Sequence, residues 1–164
     1  MVLPRSEGRI EIDAAGHPAQ KLAELLGGAE RIVRIFSDGL DPEIFDTEEV
    51  AAELSRLARK GYQCEVRILI KDSYALVKRA HRLGTLHRRL VSSVQIRKLS
   101  YIPEHYVPNY VLVDDHGVFF DPKEDDKVRY MNADDRPLVK HYAEQFDELW
   151  SKSGPDPELR VMPM

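Results

Sequence analysis

The chain has 164 residues, of which 43% are hydrophobic and 32% charged, enough for one domain with a proper core and too few for two. Its formal charge of −4 gives no global attraction to nucleic acid or to an anionic membrane, so binding to either needs a local patch. The single Cys64 has no partner for an internal disulfide, no window approaches the roughly 20 apolar residues of a membrane span, and no signal-peptide run follows Met1, which leads us to expect a cytoplasmic protein.

Arg9-Ile10-Glu11-Ile12-Asp13 alternates as a short strand, and Gly16-His17-Pro18 turns into a helix from Ala19 to Leu26 that stops at Gly27-Gly28. Arg31 to Phe36 is the next core strand. Asp46 with Glu49 three residues on forms a capping box, after which Val50, Leu54, Leu57 and Ala58 repeat at helical spacing up to Gly61. Glu65 to Ile70 is a second core strand, with Cys64 beside it as a small buried hydrophobe. From Ser73 to Val91 the period is helical again, with Leu76, Ala80, Leu83 and Leu90 on one side, Gly84 as a break point, and His87 on the apolar side in need of a partner for its ring nitrogen.

Val94 to Arg97 reads as a third strand. Tyr110 to Val113 and Val118 to Phe120 are strands joined by the tight turn Asp114-Asp115-His116-Gly117, and Lys127 to Met131 is one more. Asp135 caps a last helix through Trp150, with Pro137 in its first turn and Val139, Tyr142, Ala143, Phe146, Leu149 and Trp150 facing inward. The domain is expected to span residues 1–151, with 152–164 a loose tail beginning at Ser153-Gly154-Pro155-Asp156-Pro157.

Strands separated by helices imply right-handed crossovers, so the expected class is α/β, with a mixed, mainly parallel sheet covered by helices on both faces. The order strand, helix, strand, helix, strand, hairpin, strand, final helix, with a Phe146-x-x-x-Trp150 close, resembles one half of a phospholipase D-like domain over residues 18 to 151. Within that superfamily the chain is similar to bacterial phospholipase D-like domains of unknown function. The superfamily's active strand carries a His, a Lys two positions later and an Asp five further on, followed after seven residues by Gly-Ser-x-Asn. With Asp114 as the acid, the His falls on Val107, the Lys on Asn109 and the Gly-Ser-x-Asn on Asp121-Pro122-Lys123-Glu124.

The superfamily's reaction is a two-step phosphoryl transfer by a pair of histidines, with Lys and Asn holding the charged oxygens and no metal or cofactor. Val107 can neither attack nor move a proton, and Asn109 lacks the positive charge. The resemblance therefore implies a catalytically degenerate domain that acts by binding, expected as a homodimer, because single-copy members complete their site across a twofold axis. An alternative is a metal-independent phosphodiesterase using His105, two residues before the vacant place, with Tyr106, Asn109 or Lys123 as substitutes. That shift moves the ring by about 6 to 7 Å along a strand. Asp114 otherwise serves as the first position of its turn, bonding the backbone ahead of it.

A second alternative is binding of a phosphate-bearing ligand through the basic interval. Between Ser73 and Pro103 lie Lys78, Arg79, Arg82, Arg88, Arg89, Arg97 and Lys98 and no acid. On one continuous helix Lys78, Arg82 and Arg89 stand within about 40° of one another, a stripe for nucleotide, lipid or nucleic acid, although a nucleic-acid ligand is not favoured over a solvated face. The turn cluster Asp114, Asp115, His116 and Asp121 matches no metal-loop spacing, so no metal is assigned.

Overall fold

A computed structural model describes residues 8–13, 15–61, 63–78, 80–100, 108–122 and 128–155. Among these the strands are β1 (Arg9–Ile12), β2 (Ile32–Ser37), β3 (Glu65–Ile70), β4 (Val94–Lys98), β5 (Asn109–Val113), β6 (Gly117–Asp121), β7 (Arg129–Asn132) and β8 (Gly154–Pro155). The helices are α1 (Pro18–Leu26), α2 (Pro42–Phe45), α3 (Glu48–Ala58), α4 (Tyr74–Lys78), α5 (Arg82–Arg89) and α6 (Arg136–Ser151). The strands form one sheet in the order β1-β7-β6-β5-β2-β3-β4-β8.

The helical crossovers make β2, β3 and β4 parallel, with Ile35 opposite Ile68 and Ile68 opposite Ile96. Tight turns and returns make the rest antiparallel: β5 lies against β2 with Ile35 opposite Val111, β6, β7 and β1 continue outward, and β8 closes the other edge on β4. The sheet is mixed as expected, but the expectation of a mainly parallel one is corrected. Among the described strands two pairings are parallel and five antiparallel, because the hairpins after β4 and the edge strands β1 and β8 all return antiparallel.

Because side chains alternate along a strand, one face presents Val33, Ile35, Val66, Ile68, Val111 and Phe119 to a core shared with α1, α3 and α5. The other presents Phe36, Leu69, Tyr110, Leu112 and Val118 to Val139, Phe146, Leu149 and Trp150 of α6. Every residue of β5 is buried, which is why the strand reads as a continuous apolar run after Asn109. Helix α6 starts as its sequence requires, with Asp135 accepting from the Leu138 N–H at 3.3 Å and Pro137 in the first turn. At its other end the Arg97 guanidinium stands 4.3 Å above the Trp150 ring and donates to the Trp150 carbonyl at 2.8 Å.

Three local expectations are corrected. The stretch 73–91 is two helices, α4 and α5, because Ala80 takes a left-handed φ of 47° and His81 becomes the N-cap of α5, its Nδ1 accepting the Leu83 N–H at 3.1 Å. Gly84, the expected break, lies buried inside α5. Asp46 does not cap α3: Thr47 holds that position, while Asp46 ends the short helix α2, whose own cap is Asp41 followed by Pro42. The segment after Trp150 continues through Ser153 into β8, with Gly154 opposite Lys98. The remainder of the expected tail, 156–164, lies outside the described residues, as do His105, Tyr106, Val107 and Lys123.

Candidate functional site

The carboxyl end of β2, the start of β5, the end of β6 and the start of β7 meet at one rim of the sheet. The core row Ile35, Val111, Phe119, Met131 runs across these four strands, and two residues nearer the rim the same face carries polar side chains instead: Ser37, Asn109, Asp121 and Arg129. Asn109 and Asp121 are direct cross-strand neighbours, and Arg129 reaches Asp121 at 3.5 Å. Ligands in open α/β sheets gather at the carboxyl ends of parallel strands, where loops leave the backbone free to shape a crevice.

A crevice is present there. A cleft of about 320 Å³ is lined by Ser37, Asp38, Asp41, Phe45, Asn109 and Asp121, with Phe119 among its apolar walls. Its lip is the loop from Ser37 to Asp41, which the chain holds by specific bonds. The Ser37 hydroxyl accepts the Leu40 N–H at 2.9 Å, Leu40 takes a left-handed φ of 61°, and Asp41 accepts the Glu43 N–H at 3.0 Å. A buried non-glycine residue with positive φ stores strain that the surroundings must offset. Here His81 supplies the restraint, with its Nε2 3.2 Å from the Leu40 carbonyl.

Among the described residues singled out from sequence, Asp121 lines this cleft and so does Asn109. Asn109 is 6% exposed, and its side-chain oxygen is buried with no hydrogen-bond partner. Asp114 lies just past the opposite end of β5, about 16 Å along the strand. There its carboxylate accepts from the backbone N–H groups of Glu30, Arg31 and Ile32 at 2.8 to 2.9 Å. The expected role in its own turn is thus corrected: with φ at 54°, Asp114 pins the entry of β2 from the end of the neighbouring strand β5.

The basic residues do not share one continuous helix: Lys78 ends α4, whereas Arg82 and Arg89 belong to α5. Lys78 is exposed at the end of α4, with its ammonium 5.9 Å from the Tyr74 ring. Arg82 turns to Asp46, bonding its carboxylate at 3.3 Å and its carbonyl at 3.1 Å, and Arg89 is exposed at the end of α5. Partial burial raises the Asp46 carboxyl, but the hydrogen bond from the Arg82 backbone N–H and the bond and charge of the Arg82 guanidinium oppose it, and the carboxyl is held below its usual range. His87 is half-buried, with its Nδ1 2.7 Å from the Val94 carbonyl. His116 and Asp114 approach to 3.8 Å, whereas Asp121 is at the far end of β6, so the turn acids do not converge.

Sequence reasoning passed over Ser37, Asp38, Asp41 and His81. The available signal was Ser37-Asp38-Gly39 directly after a core strand, a polar loop at a carboxyl end.

The family model described as Domain of unknown function (DUF7931) matches residues 15–162. No curated protein matches the sequence. Among solved structures, TrmBL2, described as an archaeal chromatin protein with a novel mode of DNA binding, is similar with a TM-score of 0.63 and 15% identity over 95% of this chain, which spans 56% of that protein. NucT from Helicobacter pylori gives a TM-score of 0.62 at 13% identity, covering 84% of this chain and 89% of the other. Nuc from Salmonella typhimurium, described as a phospholipase D family member, gives 0.55 at 16% identity, covering 90% and 93%. At these identities the likeness is one of fold, and the fold is phospholipase D-like. With its family model spanning nearly the whole sequence, the chain belongs to the DUF7931 family of domains.

Proposed function

We propose that this chain is a catalytically degenerate phospholipase D-like domain that works by binding at its rim cleft. The observation that carries the reading is the combination of an intact cleft with an altered lining: Asn109 stands where the resemblance puts the Lys, and no Lys, Arg or His among the described residues lines the cleft. A phosphorane-like transition state needs positive charge directed at its oxygens. Three carboxylates oppose it.

Turnover of bis-p-nitrophenyl phosphate is the direct test, and none above background is expected. The competing phosphodiesterase reading assigns catalysis to His105. Turnover that vanishes in His105→Ala and persists in EDTA would establish that reading and end ours.

Two copies are proposed to pair through the surface near the vacated site, as the single motif copy suggests, within a cytoplasmic setting. The domain is proposed to extend past residue 151 to include β8, which pairs with β4. Size-exclusion chromatography with light scattering tests the pairing, and a monomer at micromolar concentration would refute it. TrmBL2 is named for DNA binding, which lends support to the nucleic-acid reading of the basic interval. The attachment of Arg82 to Asp46 takes one of the three cations of the expected stripe out of play.

A further inference from the structure

We propose that the rim cleft takes a small organic cation bearing N–H donors, an alkylammonium or alkylguanidinium group, so that the site has exchanged an anionic ligand class for a cationic one. The inference rests on the binding reading above and names its ligand class.

Two independent observations carry it. The first is charge: Asp38, Asp41 and Asp121 line the cleft without a basic side chain among the described lining residues. Among the described residues, Lys71 lies 3.0 Å from Asp38 and Arg129 3.5 Å from Asp121, and neither belongs to the cleft lining. A phosphate entering here would meet acid on the cleft side. A cation would meet three carboxylates in a site with low-dielectric walls, where attraction is screened less than on an open surface.

The second is an unfilled hydrogen-bonding requirement. Asn109 is 6% exposed, lines the cleft, and leaves its side-chain oxygen without a partner. A buried amide oxygen of this kind costs free energy until a donor reaches it. An ammonium has three donors and no acceptor, and a guanidinium five, so either satisfies acceptors alone. The volume of about 320 Å³ suits a small ligand. Phe45 and Phe119 supply apolar wall for its alkyl part.

The test is calorimetric titration of the intact chain with n-butylammonium, tetramethylammonium and inorganic phosphate, each at low and physiological salt. We expect n-butylammonium to bind one to one and to weaken with salt. Tetramethylammonium, lacking N–H donors, should bind more weakly, and phosphate should not bind. Asp38 is more than half exposed, so Asp38→Asn folds normally and weakens binding by about threefold to fivefold, the scale of one partly exposed charge pair. Lys71→Met frees Asp38 and tightens binding by a similar factor. Asn109→Leu separates function from structure: it removes an unsatisfied group, so its urea midpoint is unchanged or raised while n-butylammonium binding falls. Phosphate binding without n-butylammonium binding overturns the inference and leaves the binding reading intact. No binding of either, or binding indifferent to all three variants, also overturns it. Phosphodiester turnover, measured in parallel, sinks the binding reading and this inference together.

Discussion

The fully buried imidazole of His81 donates its Nε2–H to the carbonyl of Leu40, 3.2 Å away and 41 residues earlier in the chain. The tautomer follows from the other nitrogen, because Nδ1 accepts the Leu83 N–H at 3.1 Å and so carries no proton. One ring thus joins the break between α4 and α5 to the strained lip of the cleft. Leu40 keeps its left-handed backbone because both its N–H and its carbonyl are held.

Replacing His81 with Leu leaves the Leu40 carbonyl without this donor and the Leu83 N–H without this acceptor. Each such loss costs about 1–3 kcal/mol, so a drop of about 2–5 kcal/mol in urea-derived stability is expected. Weaker ligand binding at the cleft should accompany it, since the lip loses its restraint. A variant as stable as the wild type would show that the Leu40 conformation holds without His81.

Asp114→Ala should destabilise by about 2–4 kcal/mol, because three backbone N–H groups at the start of β2 lose a charged acceptor together. Asp114→Asn keeps one acceptor oxygen and should lose roughly half as much. Neither change should alter the affinity of the cleft, which lies at the opposite end of the sheet. Chemical denaturation of the two variants beside the wild type measures the first point, and calorimetric titration the second.

The Asp46 carboxyl provides a pH signature. Its folded pKa is below its ordinary value of 3.8, so the unfolded state binds the proton more readily. The stability it contributes is fully present above 3.8 and is lost as pH falls through the lowered folded value. The difference in urea midpoint between wild type and Asp46→Asn should therefore stay flat from neutral pH down to about pH 5 and shrink below about pH 4. A difference that grows on acidification would contradict the assignment.

The chain's single tryptophan reports on the closing helix. Arg97 stacks on Trp150 and bonds its carbonyl, so Arg97→Ala should shift the emission and cost about 1–2 kcal/mol. Phe146, fully buried and stacked on Trp150 at 5.7 Å, is the larger anchor. Phe146→Ala should cost about 3–5 kcal/mol, read from the same fluorescence during denaturation.

For the basic interval, titration of single-stranded DNA and anionic vesicles at low salt is expected to show no binding. If binding occurs, Arg89→Glu should flatten its salt dependence without loss of stability, because Arg89 is exposed. Arg82→Glu is a poor probe of the same point: it sets a like charge against Asp46, which Arg82 now bonds, and should destabilise the protein whatever binds.

The sequence alone determined the strands other than β8, the terminal helix and the α/β class. Those features rest on local periodicity: period two in β2, β3 and β5, period 3.6 in α6, and the Asp135 cap with Pro137 behind it. It also singled out Asn109, which lines the cleft, by its spacing from Asp114 along a single strand. Asp114 was visible as an acid in a turn, yet its partners are backbone groups 82 to 84 residues away. The helix break near Ala80 has no strong breaker residue, and His81 makes sense only beside Leu40. The cleft gathers Ser37, Asp38 and Asp41 with Asn109 and Asp121 because β5 turns back antiparallel to β2. Such groupings are decided by tertiary structure, since a buried polar group must find its hydrogen bonds wherever the fold brings a partner, and no local pattern encodes that distance.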